Sequence, residues 1–488
     1  MAASPTRRSG ARGNRPGRAC ALAVAGALAA VIALAGGCSD EAPSDALPAG
    51  SDAWPSVNHD RSNSRSNGAE SKLSRANASE LAPRWRLEGL AGTTSTPAVV
   101  DDTVYFGDWD GVFRAVRSSD GGEIWSRKLG MRIDGSALVD GDRVYVAELG
   151  GTLFALDRAS GETLWTAELD SDPTTSIDSS PVLAGRTIVI GVSSYETAIA
   201  LPDYTFRGSI VGLDADDGRE LWRVYTTAND ATSGAGVSVW SSAAVDERRG
   251  LVFIGTGQTY EQPASPMGDS VVAIRYETGD VAWVHQFTKD DVFTIPAGGP
   301  GPDADVGASP NLFAIAGRDV VGVGDKGGTY HVLDRDTGEA VWETSVCRGS
   351  PLGGIMVTAA VADGAIFVGC NRWRAFGFVT TGRHNPNDTS STFALDARDG
   401  SVRWETAMAA PMFGAITVAN GVVYHGTIDG VIHALAADDG AELWSDHPGG
   451  DVAAGIAVAG GTVYVGRGFW FFTQPPMPNG GLVAYSAP

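Results

Sequence analysis

Eight acidic or amide side chains fall in or beside three interruptions of an otherwise regular sequence: Glu196, Gln258, Glu261, Asp269, Asp290, Asp291, Asp303 and Asp305. Carboxylate and amide oxygens suit a hard cation such as Ca²⁺. Trp240, in VSVWSS, offers a flat face on which a planar ligand can stack. Lys326, in the tight GDKGG turn, brings an ammonium that can stabilise negative charge developing on a polarised carbonyl. The combination suits a cation, a flat carbonyl compound and a carboxylate base. Against it stands composition: with 58 acidic residues, any one loop carboxylate is ordinarily solvated charge.

The elements that must position these groups form a repeat. Segments such as TPAVVDDTVYFGDWDGVFRAVRSSDGGEIW (96–125) and SALVDGDRVYVAELGGTLFALDRASGETLW (136–165) share one pattern. Each has four short apolar or alternating runs separated by Asp-Gly-type turns, which predicts a four-stranded antiparallel meander. The closing tryptophans are Trp125, Trp165, Trp222, Trp283, Trp342, Trp404 and Trp444, with Trp85 ahead of the first copy. Pairing the Trp85 strand with the C-terminal strands completes an eighth unit and removes both open sheet edges. The expected fold is all-β, an eight-bladed β-propeller closed by its N- and C-terminal strands. The 64 Gly follow from the turns, and the repeated Trp and Ala-Leu-Asp residues are structural.

Call the strands of a blade a to d, from the axis outward. Long insertions at 192–207, 258–268, 371–390 and 467–480 fall in b–c loops, and 284–307 falls in a d–a loop. In a meander these two loop types open on the same face. Loops gathered at one rim of a rigid scaffold mark a binding face.

Residues 1–37 read as an export signal: five arginines precede an apolar run from Ala19 to Gly37. Leu34-Ala35-Gly36-Gly37-Cys38 resembles a lipobox, so Cys38 is the expected lipidation site and a lipid anchor the expected membrane attachment. A plain cleaved signal is the alternative, and Arg7-Arg8 lacks the rest of a twin-arginine signal. Residues 38–53 read as a flexible tether and 54–488 as a single propeller. With the five arginines of 1–37 gone, 36 basic residues fall to 31 against 58 acids, a net charge of −27. Such acidity argues against nucleic-acid binding. Outside the cytoplasm Cys347 and Cys370 can pair. No Cys-x-x-Cys-His occurs, so no c-type haem is expected on this sequence.

From WPSVNHDRSNSRSN (54–67) to the C-terminus, the sequence resembles the pyrroloquinoline quinone (PQQ) dependent alcohol dehydrogenases, particularly their polyvinyl-alcohol dehydrogenase branch. The specific stretches are IGVSSYETAIALPDYTFRGSIVGLD (190–214), VWSSAAVDERRGLVFIGTGQ (239–258), GPDADVGASPNLF (301–313) and VGVGDKGGTYHVLD (321–334). The resemblance implies Ca²⁺ ligands at Glu196, Gln258 and Asp291, a quinone floor at Trp240, and quinone contacts from Lys326, Glu196 and, more weakly, Arg132. It implies a catalytic base at Asp291, with Asp290, Asp303 and Asp305 as rivals. An alcohol, small or polymeric, would be oxidised, and a separate acceptor such as a cytochrome c would take the electrons. Three positions depart from the family. Gln258 replaces an Asn, Asp291-Val292-Phe293 replaces Asp-x-Trp, and no vicinal Cys pair occurs. The competing expectation is a cofactor-free propeller scaffold resembling the outer-membrane assembly lipoproteins. A third is a polymer-binding surface using Trp373, Trp470 and Phe471.

Overall fold

The computed structural model describes residues 52–230, 232–373, 387–468 and 480–488. The signal, Cys38, Trp470 and Phe471 lie outside these. Short β-rich runs between Gly turns give eight sheets, each built on a four-stranded antiparallel meander. Blade 1, for example, consists of Ala98–Val100, Thr103–Gly107, Val112–Arg117 and Glu123–Lys128. The only helical turns among the described residues are Ala78–Glu80 and Tyr195–Ala198. Ring closure is as expected. Ala82–Leu90 pairs antiparallel with Gly480–Ser486 and becomes the outer strand of blade 8, beyond Ala457–Ala459 and Thr462–Arg467.

The Gly-x-x-x-Trp repeat acts between blades. Each Gly of a c–d turn has positive φ and rests on the Trp of the preceding blade, from Gly121 on Trp85 to Gly440 on Trp404. The Nε1 of Trp85, Trp125, Trp165, Trp222, Trp283 and Trp404 also donates to a carbonyl of the same neighbour, as Trp125 does to Arg158 O at 3.0 Å and Trp222 to Tyr276 O at 2.8 Å, whereas that of Trp342 has no such partner. At Gly218 φ is +73°, and a Cβ would lie 2.4 Å from Trp165 Cε3. Gly218→Ala should therefore lower stability by about 1–3 kcal/mol, read from the urea midpoint at constant m.

Two inner rings organise the axis. The first is made by residues 54–67, which run along the free edges of the innermost strands. Backbone amides donate to them at Val99 (to Trp54 O), Val139 (to Pro55 O), Val245 (to Arg61 O), Leu312 (to Ser62 O), Val361 (to Ser64 O) and Val418 (to Arg65 O). Asn67 Nδ2 reaches Val458 O at 2.8 Å. This one segment thereby bonds to seven blades, all but blade 3, and fills the channel.

The second ring is a chain of hydroxyls. Ser136, Ser180, Ser242, Ser309 and Thr358 each accept the amide of the residue one blade back, at 2.8–3.1 Å. The equivalent positions of blades 7 and 8 are Ala415 and Gly455, which carry no hydroxyl. Arg65, fully buried, fills that gap. It donates to Ile416 O, Thr417 Oγ1, Ile456 O, Val57 O and Asn58 Oδ1.

Candidate active site at one end of the channel

Two residues before each position of the hydroxyl ring, on the face where b–c and d–a loops open, lie Thr94, Asp134, Asp178, Trp240, Gly307, Met356, Phe413 and Ala453. In extended chain, residues two apart share a face, so these eight form the floor above the filled channel. One side of it carries Asp134 and exposed Asp178; the other carries half-buried Trp240, Met356 and Phe413. The Trp240 ring lies against Gly307, where a Cβ would come within 1.7 Å of its Cη2. Only Gly lets the indole lie there. Among the described residues no other ring stacks on it.

Beside Trp240 stands the acidic group. Lys326 is buried in a turn fixed by Asp325, whose carboxylate accepts Thr329 N at 3.0 Å and meets His331 Nε2 at 2.9 Å. The ammonium pairs with Asp303 at 2.8 Å and Asp305 at 2.9 Å. Burial opposes its charge, but these two carboxylates hold it above the usual ammonium range. Asp305 also accepts the backbone amide of Gln258 at 2.7 Å. Asp291 accepts the amides of Ala304 at 2.7 Å and Asp303 at 3.2 Å, and burial raises its pKa against those bonds. Asp269, fully buried behind them, is pushed well up by burial and by Asp305, Asp291 and Asp303, and its Oδ1 has no hydrogen-bond partner.

Glu196 lies in the turn Tyr195–Ala198, and its own amide is capped by Ser194 Oγ at 3.0 Å. Its carboxylate accepts Phe206 N at 3.1 Å and Thr205 N at 3.3 Å, while burial raises its pKa. Gln258 donates Nε2 to Phe293 O at 3.1 Å and Thr197 Oγ1 at 3.3 Å. A carbonyl acceptor fixes the amide orientation, and among the described residues no donor reaches Oε1. The longer side chain therefore leaves its oxygen available for a ligand.

The structure thus brings Trp240, Gln258, Asp291, Asp303, Asp305 and Lys326 together, with Glu196 joined through the Thr197–Gln258 bond. Arg132 is held elsewhere on the floor. It pairs with Asp134 at 2.7 Å and lies over Trp109, 4.9 Å from the ring centroid. Burial lifts Asp134 to about 6 against that pairing. Trp373 is not the exposed aromatic expected from sequence. It is buried, edge-on to Phe413 at 5.9 Å and clustered with Leu352, Ala410 and Ile428. Two floor carboxylates and the 226–243 loop that delivers Trp240 were not legible as site elements, because only the equivalence of blades reveals them.

Four buried carboxylates face one ammonium. Burial raises Asp303 from 3.8 to about 7 against the pull of Lys326. The folded state keeps that proton between about pH 4 and 7, whereas the unfolded state does not. The resulting stability is present at low pH and lost as pH rises through 7. In metal-free buffer the melting temperature should fall over that window, and Asp303→Asn should flatten the fall. Unchanged curvature would remove Asp303 from the proton-holding group.

This fold with this face defines a quinoprotein-type propeller. Residues 54–348 match the family described as glucose/ethanol/alcohol dehydrogenase, beta-propeller domain, and the chain belongs to that PQQ family. Residues 326–487 also match the description outer membrane protein assembly factor BamB. The chain is 28% identical over 409 residues to a polyvinylalcohol dehydrogenase of Pseudomonas sp, covering 75% of this chain and 63% of that protein. A second, from Sphingopyxis sp. (strain 113P3), is 26% identical over 74% of this chain and 62% of its own length. The chain thus spans less than two thirds of both. The crystal structure of quinohemoprotein alcohol dehydrogenase from Comamonas testosteroni superposes with TM-score 0.73 at 20% identity, covering 89% of this chain and 80% of that one. BamB from Moraxella catarrhalis superposes at 0.57 with 16% identity, covering 83% of this chain and 99% of its own. Both show the fold.

Proposed function

We propose that this chain is an exported quinoprotein that oxidises an alcohol, small or polymeric, using PQQ and Ca²⁺. The observation that carries this is a half-buried Trp platform set beside Lys326, Asp303, Asp305 and Asp291, within the stretch matched to the PQQ family. The residues present fit both groups. Trp240 presents an unstacked ring to a flat ligand. Asp269 Oδ1 is a buried oxygen without a hydrogen-bond donor, Gln258 spends its Nε2 on Phe293 O and Thr197 Oγ1, which leaves Oε1 for a ligand, and the carboxylates outnumber the ammonium. Among the described residues no group of three or more His, Cys, Asp or Glu side chains is arranged to hold a metal ion. This chain would therefore supply part of the 6–8 oxygens Ca²⁺ takes.

Bound PQQ would supply the oxidising chemistry as hydride acceptor, with Ca²⁺ polarising its carbonyl. The protein's share is specific. Trp240 carries the flat ring, Glu196, Gln258 and Asp291 offer oxygens to the cation, and Lys326 keeps a fixed positive charge at the carbonyl. Asp291 takes the alcohol hydroxyl proton. Unlike Asp303 and Asp305 it is not ion-paired with Lys326, and burial raises its basicity. Arg132 is a secondary cofactor contact. Electrons would leave to a separate acceptor such as a cytochrome c. On this reading residues 1–37 are an export signal and lipidated Cys38 would hold the protein to the outer side of the membrane. No helix among the described residues is long and apolar enough to cross one.

The test is titration with PQQ and Ca²⁺, followed by dye reduction with primary, secondary and polymeric alcohols. Failure to bind the quinone removes the reading. That outcome would favour the cofactor-free scaffold suggested by the match over residues 326–487. Glu196→Gln should weaken quinone binding at limiting Ca²⁺ about tenfold or more, by loss of a charged ligand. Unchanged affinity would take Glu196 out of the site.

A further inference from the structure

The Lys326 turn is shaped from outside its own blade. Residues 346–355, which follow blade 5, wrap it on both sides. Val346 N donates to Gly328 O at 2.9 Å, and Ile355 N donates to Asp325 O at 2.8 Å. The Lys326 carbonyl is wedged between Gly349 and Gly354, where added Cβ atoms would lie 2.3 and 2.1 Å from it. A Cβ on Gly328 would lie 2.2 Å from Cys347 O. Neither side of the turn has slack.

The wrapping loop contains Gly349, Gly353 and Gly354 and packs through buried Leu352 and Ile355. Further ties run to blade 6. Gly354 and Asn371 exchange backbone hydrogen bonds at 3.0 and 2.9 Å, and Ser350 Oγ donates to Trp373 O at 3.0 Å. One tie is covalent: Cys347 is bonded to fully buried Cys370 of the strand Ala365–Arg372, with Cα atoms 6.4 Å apart. The bridge starts one residue beyond Val346 and so anchors the loop at the point where it grips the turn.

We propose that the Cys347–Cys370 disulfide is a positioning device for Lys326, clamping the loop that sets the ammonium between Asp303 and Asp305. The bridge does no chemistry itself. It acts through the glycine wedge, so its loss frees the turn and blurs the placement of one charge. A charge that must meet a developing negative centre loses effect with small misplacement. The effect on ligand rests on the functional reading above; the bracing does not.

A four-member cycle of full-length chains tests it: wild type, Cys347→Ala/Cys370→Ala, Lys326→Met, and the triple variant. Each is titrated with PQQ in the presence of Ca²⁺ and followed by amide hydrogen exchange. Removing the bridge should weaken PQQ at least fivefold and speed exchange at residues 326–329 more than in blades 1 and 2. In the Lys326→Met background it should change PQQ affinity by less than twofold, since neighbours acting through one group are non-additive. Equal weakening in both backgrounds would mean a general structural role and overturn the proposal. So would unchanged exchange at 326–329. If Lys326→Met does not fold, wild type treated with a phosphine reductant, scored by a gain of two titratable thiols, decides through exchange alone. If wild type binds no PQQ, the functional reading fails while the exchange result still decides the bracing.

Discussion

Asp291→Asn, in protein loaded with PQQ and Ca²⁺, is expected to lower kcat by about 10²–10⁴-fold, the range for loss of a general base. The argument is geometric. Asp303 and Asp305 each engage the Lys326 ammonium, at 2.8 and 2.9 Å, so their carboxylates are committed to an ion pair. Asp291 has instead two backbone amides, which orient it, and a buried setting that raises its proton affinity. An Asn there can still accept the Ala304 amide but turns an NH₂ toward the Asp303 amide. That unmet donor costs roughly 1–3 kcal/mol of stability, which urea unfolding measures separately from kcat. Asp303→Asn should reduce kcat at least tenfold less than Asp291→Asn. The reverse order would move the base to Asp303.

Arg65→Ala should cost about 3–5 kcal/mol of stability, near the upper end for single substitutions. The guanidinium bridges blades 7 and 8, where the hydroxyl ring lacks members, and reaches Thr96 Oγ1 of blade 1 at 3.5 Å; its removal leaves the carbonyls of Ile416, Ile456 and Val57 without that donor. Each such loss is costly in a site that water cannot enter. Arg65→Lys should retain little of the stability, because one ammonium cannot reproduce a planar fork aimed at several acceptors. Urea unfolding decides. A loss under about 1 kcal/mol would show that the ring does not depend on Arg65.

The propeller was legible because its signals are local and repeated. The equivalents of Gly161 and Trp125 occupy fixed places in seven copies, and the structure shows the contact that requires them. The site face was legible from insertions. Trp240, Lys326, Gln258 and Asp291 became legible through resemblance, since nothing local separates Asp291 from Asp290. The hub was not readable. Residues 54–67 bond to strands up to about 400 positions away, and no periodicity announces that. Arg65 looks like any loop arginine until the missing hydroxyls at Ala415 and Gly455 are seen across the ring. The floor carboxylates Asp134 and Asp178 were hidden for the same reason.

Closure of blade 8 has a consequence in time. Its outer strand, Ala82–Leu90, is made roughly 400 residues before its partner, Gly480–Ser486. At 5–20 residues per second, that gap of roughly 400 residues lasts about 20–80 s. Throughout it the N-terminal strand and the hub have no complete ring to join. A nascent chain therefore cannot close its ring while Gly480–Ser486 is unmade, and the blades already synthesised stay open at that seam until then.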